Sequence, residues 1–226
     1  MKTLNRIKIR LLKSKYANER CVIIGNGPSL KKHDLRKLDN EYVFIVNRGY
    51  FAYKLGLKKA DFFIVSDPFT YDKYRSEIDQ ADVRMKFYRD NVCKDCKKGI
   101  ILSNINNYEM HQGHFSKDLQ IGINSGHSVV LDAIQVCFYM GFSEVYLIGC
   151  DFDYSQKETH FYGAGELETQ RKAVMPIEKV FSSFKVANEV FLKHKRQLFN
   201  ASKGGALEEL CRVEFDKVFN GKTNIQ

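Results

Sequence analysis

RCVIIGNGPSL, residues 20–30, joins a short apolar run to a turn made of Gly25, Asn26, Gly27 and Pro28. The run is too short for a helix and ends in turn-forming residues, so it reads as a buried strand. Gly25 and Gly27 permit a tight turn and close backbone approach to a ligand, and Pro28 fixes the turn. Ser29 is a candidate N-cap for a short helix over SLKKHDLRKL, whose first N–H groups would favour a phosphate. The spacing is not that of a Walker loop, because no Gly-Lys-Ser/Thr follows. Nor is it the dinucleotide fingerprint, because Leu30 stands where the third glycine belongs. A phosphate loop and a plain strand-to-helix turn both fit this stretch taken alone.

The rest of the chain repeats the pattern. YVFIVN (42–47), ADFFIVSD (60–67), VRMKFY (83–88), EVYLIG (144–149) and RQLFNAS (196–202) read as further strands. Between them lie RGYFAYKLGL, a short helical crossover, and the helical TYDKYRSEI. SGHSVVLDAIQVCFYMG has Val129, Val130, Ala133, Ile134, Cys137 and Met140 on one face and Gly141 as its stop. A helix over 176–194 turns Ile177, Val180, Phe181, Phe184, Ala187, Val190 and Phe191 inward, and ALEELCRVEFDKVF reads as a closing helix. Strands alternating with helices imply an α/β fold: one domain with a mostly parallel sheet and helices on both faces. Residues 89–122 are irregular and are expected to form an inserted flap. The expected organisation is a basic N-terminal helix over 1–19, the α/β domain over 20–219 and a tail over 220–226.

With 226 residues the chain is long enough for one full core, and no apolar run reaches the length of a membrane span. Six cysteines at irregular spacing, with no secretory leader pattern, predict reduced thiols and a cytoplasmic setting. The formal net charge of +9 favours anionic partners. Part of that charge is local: residues 1–15 carry Lys2, Arg6, Lys8, Arg10, Lys13 and Lys15 and no acid, with Leu4, Ile7, Leu11 and Leu12 at helical spacing. Such a segment suits peripheral contact with the inner face of a membrane, or simple packing on the domain. No RNA-recognition signature is present, so no nucleic-acid partner is expected, and oligomer formation is left open.

A parallel sheet binds ligands at the carboxyl ends of its strands. That rule selects Asn47 and Asp67, whose short polar side chains can contact a base or sugar or cap a loop. It selects Ser125 and Gly126 ahead of a long helix, whose N-terminus suits an anion; His127 is incidental to that role. It selects GCDFDYSQKETHFYG (149–163) as well. Gly149 turns the chain there, Asp151 and Asp153 suit ribose hydroxyls or a divalent cation, and Tyr154 and Tyr162 suit phosphate oxygens. Histidine is the side chain whose ordinary pKa suits proton transfer near neutrality, which makes His160 the candidate base. Cys93, Cys96, His111 and His114 approach a zinc spacing, but the gap between the histidines is short. No metal is assigned to them.

In this order the loops resemble two related families. VIIGNGPSL, VFIVNRGYF, SDPF, NSGHSVV, MGFSEVYLIGCDFDY and HFYG resemble the bacterial sialyltransferases that use CMP-activated sialic acid. GNGPSLKKHDLRKL, MGFSEVYLIGCDFDY and LFNASKGGALEEL resemble the 6-hydroxymethylpterin diphosphokinase-like family found in polysaccharide clusters. The first resemblance implies a Rossmann-like glycosyltransferase that moves a sugar from a CMP-linked donor to a glycan or lipid-linked acceptor without a cofactor. There Asn47 matches a nucleotide-contacting asparagine, Ser125 and Gly126 a small-residue loop, and Asp151 a ribose ligand. His160 falls near the general base, and Tyr162 is taken as its catalytic companion. Asp153 stands where that family has a phosphate-binding tyrosine, and Tyr154 comes one residue late. The second resemblance implies an ATP- and magnesium-dependent pyrophosphokinase, which Asp67, Asp151 and Asp153 would suit. A non-catalytic nucleotide- or nucleic-acid-binding module is the third reading.

Overall fold

The computed structural model describes residues 2–93, 99–105, 115–153, 158–163 and 176–220. Its frame is an eight-stranded sheet in the order β5-β4-β3-β2-β1-β6-β7-β8. The strands are β1 (Arg20–Ile24), β2 (Tyr42–Val46), β3 (Ala60–Val65), β4 (Val83–Arg89), β5 (Ile100–Leu102), β6 (Glu144–Ile148), β7 (Gln197–Asn200) and β8 (Cys211–Arg212). Every pairing is parallel, and β1 pairs with β2 on one side and β6 on the other. The chain therefore builds outward from β1 to β5, then crosses back to place β6 beside β1. That reversal makes the β1–β6 boundary the topological switch point, where open α/β sheets bind ligands.

Alternate residues of the central strands serve two separate cores, as the strand period of two requires. Cys21, Ile23, Phe44, Val46, Phe62 and Ile64 face the core beneath α4 (Val129–Met140) and α5 (Ile177–Lys193). Val22, Ile24, Val43, Ile45, Phe63 and Val65 face the other, covered by 3₁₀ helices over Pro28–Lys32, Leu35–Leu38 and Gly49–Leu55 and by α6 (Phe215–Val218). α2 (Pro68–Lys73) and α3 (Arg75–Gln80) complete that side through Tyr71 and Ile78. α4 is buried nearly all round, including Asp132 and Gln135, and stops at Gly141 with φ 99°. α5 is amphipathic: Val180, Phe184, Ala187 and Phe191 are buried, and Ile177, Phe181 and Val190 pack partly buried against the core.

Several local expectations change. Ser29 is not a cap: it lies inside the 3₁₀ helix, whose N-cap is Gly27 with no side-chain bond. The helix expected to open near Ser125 opens at Val129, because Ser128 supplies the cap and its hydroxyl accepts from the Val130 N–H. The expected closing helix is mostly a turn, the edge strand β8 and the short α6, with Leu207 and Leu210 buried as core plugs. Within 89–122, the stretch expected as a flap, β5 extends the sheet edge and Leu119 is buried in the core. The N-terminal helix α1 spans Lys2–Arg10 and gives way to turns. Leu12 leaves the predicted apolar face to join Ile9 and Tyr16 in the core, while Leu4, Ile7 and Leu11 stay exposed. Cys93 is disulfide-bonded, against the expectation of six reduced thiols; Cys21, Cys137, Cys150 and Cys211 are free. Cys96, His111 and His114, named for their zinc-like spacing, lie outside the described residues.

Candidate functional site

A cavity of about 650 Å³ opens at the carboxyl ends of the strands. It runs from the β1–β6 boundary across β2 and β3 to the end of β4. Gly25, Asn26, Gly27, Asn47, Asp67, Ser125, Gly149, Asp151, Asp153 and His160 line it, as the sequence predicts for a shared rim. Pro28, Ser29, Gly126 and Tyr162 are not on its wall. Tyr154 lies outside the described residues.

At the switch point two turns lock together. The Gly25 N–H donates to the Ile148 carbonyl at 2.8 Å and the Gly27 N–H to the Gly149 carbonyl at 2.7 Å. Both contacts need glycine. A Cβ on Gly25 would collide with the Gly149 carbonyl oxygen, and one on Gly27 would lie 2.5 Å from Asp151 Oδ2. Asp151 then grips the next residue. Its Oδ2 accepts from the Ser29 N–H at 2.7 Å, and its Oδ1 accepts from the Ser29 hydroxyl. From behind, the Ala206 N–H donates to the Asp151 carbonyl at 2.6 Å, and the Ser202 hydroxyl accepts from the Cys150 N–H at 3.1 Å. Asp151 is 7% exposed, and a carboxylate has lone pairs beyond the two used by Ser29. Burial, with Asp151 beside it, pushes the Cys150 thiol up, so it stays protonated and is no nucleophile at neutral pH.

His160 reaches the wall on a segment tied to the same loop. The Phe161 N–H donates to the Asn26 carbonyl at 2.9 Å, and Lys31 pairs with Glu158 at 3.0 Å. The His160 ring stacks on Tyr162, with centroids 5.1 Å apart and planes 18° apart. Tyr162 in turn lies under the Arg48 guanidinium at 4.4 Å, and Arg48 also covers Tyr74 at 3.9 Å and Phe51 at 4.9 Å. Tyr162 is thus a support behind His160, stiffened by a cation between aromatic rings.

The β2 and β3 ends are braced differently. Asn47, with φ 47°, accepts the Ser66 N–H through its side chain at 3.2 Å. Asp67 caps α2: its carboxylate accepts from the Phe69 N–H at 3.2 Å and the Thr70 hydroxyl at 2.6 Å. Asn26 donates its side-chain amide to the Val46 carbonyl at 3.1 Å. His127 (φ 61°), set aside on sequence grounds, lines the cavity, as does Phe152 (φ 48°). Left-handed backbone at Asn47, His127 and Phe152 concentrates strain on one wall, and such strain gathers where a site over-determines its geometry. Phe152 is held there by edge contacts with Phe184 and Phe181 at 5.2 and 6.3 Å.

The far end holds residues that the sequence reading missed. Arg89, the last residue of β4, donates from Nη2 to Asp132 Oδ1 at 2.7 Å, and the Ser66 hydroxyl donates to Asp132 Oδ2. Asp132 is fully buried; burial raises its carboxyl, and Arg89 and Ser66 oppose that shift. Two signals pointed here. Arg89 occupies the same strand-end position as Asn47 and Asp67, and Asp132 is a lone acid in an apolar helix. A buried acid requires a partner.

Among the described residues, no three His, Cys, Asp or Glu side chains gather as a metal-binding group would. No helix among them is long and apolar enough to cross a membrane.

No curated protein sequence matches the chain. A glycosyltransferase, MAf from Magnetospirillum magneticum AMB-1, has a similar structure with TM-score 0.57 at 14% identity. The match covers 89% of this chain and 35% of that one, so this chain spans about a third of its length. The sialyltransferase CstII is similar over 85% of both chains in a variant bound to CMP, with TM-score 0.53 at 16% identity. Its Campylobacter jejuni structure with the substrate analogue CMP-3FNeuAc matches over 86% of both chains, with TM-score 0.50 and 16% identity. At these identities the likeness is one of fold, and it agrees with a Rossmann-like sheet. Residues 1–157 match the family described as 6-hydroxymethylpterin diphosphokinase MptE-like, and the chain belongs to that family.

Proposed function

We propose that the protein is a glycosyltransferase moving an acidic, sialic-type sugar from a CMP-activated donor to a surface-glycan acceptor. The observation that carries this reading is the joining of His160 and Asp151 to one loop: Phe161 bonds to Asn26, and Asp151 bonds to Ser29. His160 and Asp151, the residues proposed as base and as ribose ligand, thus both line one cavity at the switch point. Asp151 would take ribose hydroxyls while its Ser29 bonds hold it in place. Gly25, Asn26, Gly27, Pro28 and Ser29, with Gly149 opposite, would form the phosphate side of the donor site. Asn47 and Asp67 would border the nucleotide, and Ser125, Gly126 and Asp153 the sugar. His160 removes the acceptor hydroxyl proton as that oxygen attacks the anomeric carbon. The bond between the anomeric carbon and the phosphate oxygen breaks, and its electron pair leaves with CMP. Tyr162 positions His160. No cofactor is needed for these steps. The test is CMP release from a CMP-linked sialic acid with a panel of glycan acceptors. His160→Ala should slow transfer by about 10²–10⁴-fold, and a variant with near-full turnover would sink the assignment.

Family membership favours a second reading, ATP- and magnesium-dependent diphosphoryl transfer to a pterin. It needs carboxylates turned to a shared cation, whereas Asp67 serves the α2 cap and Asp151 serves Ser29. Calorimetry with CMP and with ATP, each with and without magnesium, separates the two. Metal-independent CMP binding supports the transferase, and magnesium-dependent ATP binding supports the kinase.

The acceptor side of the reading includes an anionic membrane surface. α1 exposes Leu4 (58%) and Ile7 (40%), and the turn that follows exposes Leu11 (68%), with Arg6, Lys8 and Arg10 beside them. Ile9 and Leu12 hold the opposite side on the core. Apolar insertion flanked by cations matches anionic lipid headgroups. Cosedimentation with phosphatidylglycerol vesicles should fall at least tenfold in a Leu4→Ser, Ile7→Ser, Leu11→Ser variant; equal binding by both proteins refutes the contact.

A further inference from the structure

We infer that the Arg89 end of the cavity is a second anion subsite, receiving a ligand oxyanion distinct from the one held at the Gly25–Ser29 loop. The inference extends the nucleotide-site reading above and rests on it for the identity of the whole ligand. Arg89 is 8% exposed, yet it lines the cavity and is the one Lys or Arg among the described lining residues. Its Nη2 is engaged with Asp132, whose second oxygen is engaged with Ser66. Its Nε is buried and has no acceptor among the described residues. A cationic N–H held away from water without a partner is unfavourable, and a bound oxyanion would supply the missing acceptor. The α4 N-terminus opens at the same place, since Ser128, Val129 and Val130 also line the cavity. This is a full-length helix of 12 residues, so its partial positive charge adds to the guanidinium. Asp132 does not cancel the site. It balances the Arg89 charge, but both its oxygens already accept, so the Nε donor and the helix terminus remain for an anion.

Position separates this subsite from the first. β4 lies three strands from β1, which at about 4.8 Å per strand is roughly 14 Å. One phosphate cannot reach both ends. The ligand must therefore carry a second anionic group, either the carboxylate of an acidic sugar or the outer phosphate of a nucleoside polyphosphate.

The test uses the full chain and two anions alone, N-acetylneuraminate and inorganic pyrophosphate, titrated by calorimetry against wild type and an Arg89→Met, Asp132→Leu double variant. The double variant removes the pair together, so no lone charge is left buried, and its folding is checked by circular dichroism. Wild type should bind one of the two anions at least about tenfold more tightly than the variant, the value of one charge-assisted hydrogen bond. Preference for the sugar acid identifies a carboxylate source, and preference for pyrophosphate a phosphate source. Equal binding of both anions by the two proteins, or no binding to wild type, overturns the subsite. CMP titrated in a separate arm tests the nucleotide reading by itself, because failure to bind CMP leaves the anion comparison intact.

Discussion

The two ends of the cavity are built by different means. At the β1–β6 boundary recognition belongs to backbone: two glycine turns in van der Waals contact, a carboxylate gripping one N–H and one hydroxyl, and loop bonds behind it. At the β3–β4 end it belongs to side chains: Arg89, Asp132 and Ser66, brought from two strand ends and a helix. Both carboxylates are buried, Asp151 at 7% and Asp132 at 0% exposure, but only Asp132 is paired with a buried cation. Comparing them shows that an unpaired buried charge, more than the count of hydrogen bonds, decides how costly a lost partner is.

That contrast breaks most visibly at Arg89. Arg89→Met should destabilise the protein by about 3–5 kcal/mol, because Asp132 is left charged and buried. The double variant with Asp132→Leu should recover most of the loss, read as the urea midpoint at constant slope. If the single variant is as stable as the double, the pair is not the brace it appears from its geometry. Asp151→Ala should cost less, about 1–3 kcal/mol, since it removes the charge with its carboxyl and leaves only the Ser29 N–H and hydroxyl without their acceptor. Its larger signature is lost CMP affinity. A stability loss equal to that of Arg89→Met would erase the difference between the two ends.

An exposed carboxylate with two lysines sets the bottom of the scale. Asp216 accepts from Lys203 at 2.5 Å and from Lys37 at 2.8 Å, and these bonds hold its carboxyl at about 2, below the ordinary 3.8. Its folded value is depressed, so its contribution is present above 3.8 and disappears as pH falls through 2. With the carboxylate 49% exposed, Asp216→Asn should cost under about 1 kcal/mol at neutral pH, less in high salt and nothing well below pH 2. A loss independent of pH would assign the effect to α6 packing instead.

Much of the fold was legible because its signals are local. Apolar runs bounded by glycine, asparagine and aspartate mark strand ends whatever lies elsewhere, and the parallel order follows from their alternation with helices. Gly25, Gly27 and Asp151 were legible as rim residues because each follows closely on a strand of a parallel sheet. Ser29 was misread as a cap because its chemistry suits both a cap and a partner to Asp151, and only the approach of β6 to β1 selects the second. The α4 start was misplaced by a few residues because Ser125 and Ser128 are equally good caps on paper. β8 was missed because a short strand at a sheet edge has no period to detect.

The sequence by itself determined the strand and helix periodicity, the turns that need glycine and the rim on which a ligand site forms. These depend on backbone geometry within a few residues. Only the tertiary structure decided which polar groups meet: Ser29 with Asp151, 122 positions apart, and Arg89 with Asp132, 43 apart. Such pairings follow from strand order and burial. A buried charge or hydroxyl must find a partner among whatever the topology brings near, and no local pattern encodes which partner that is.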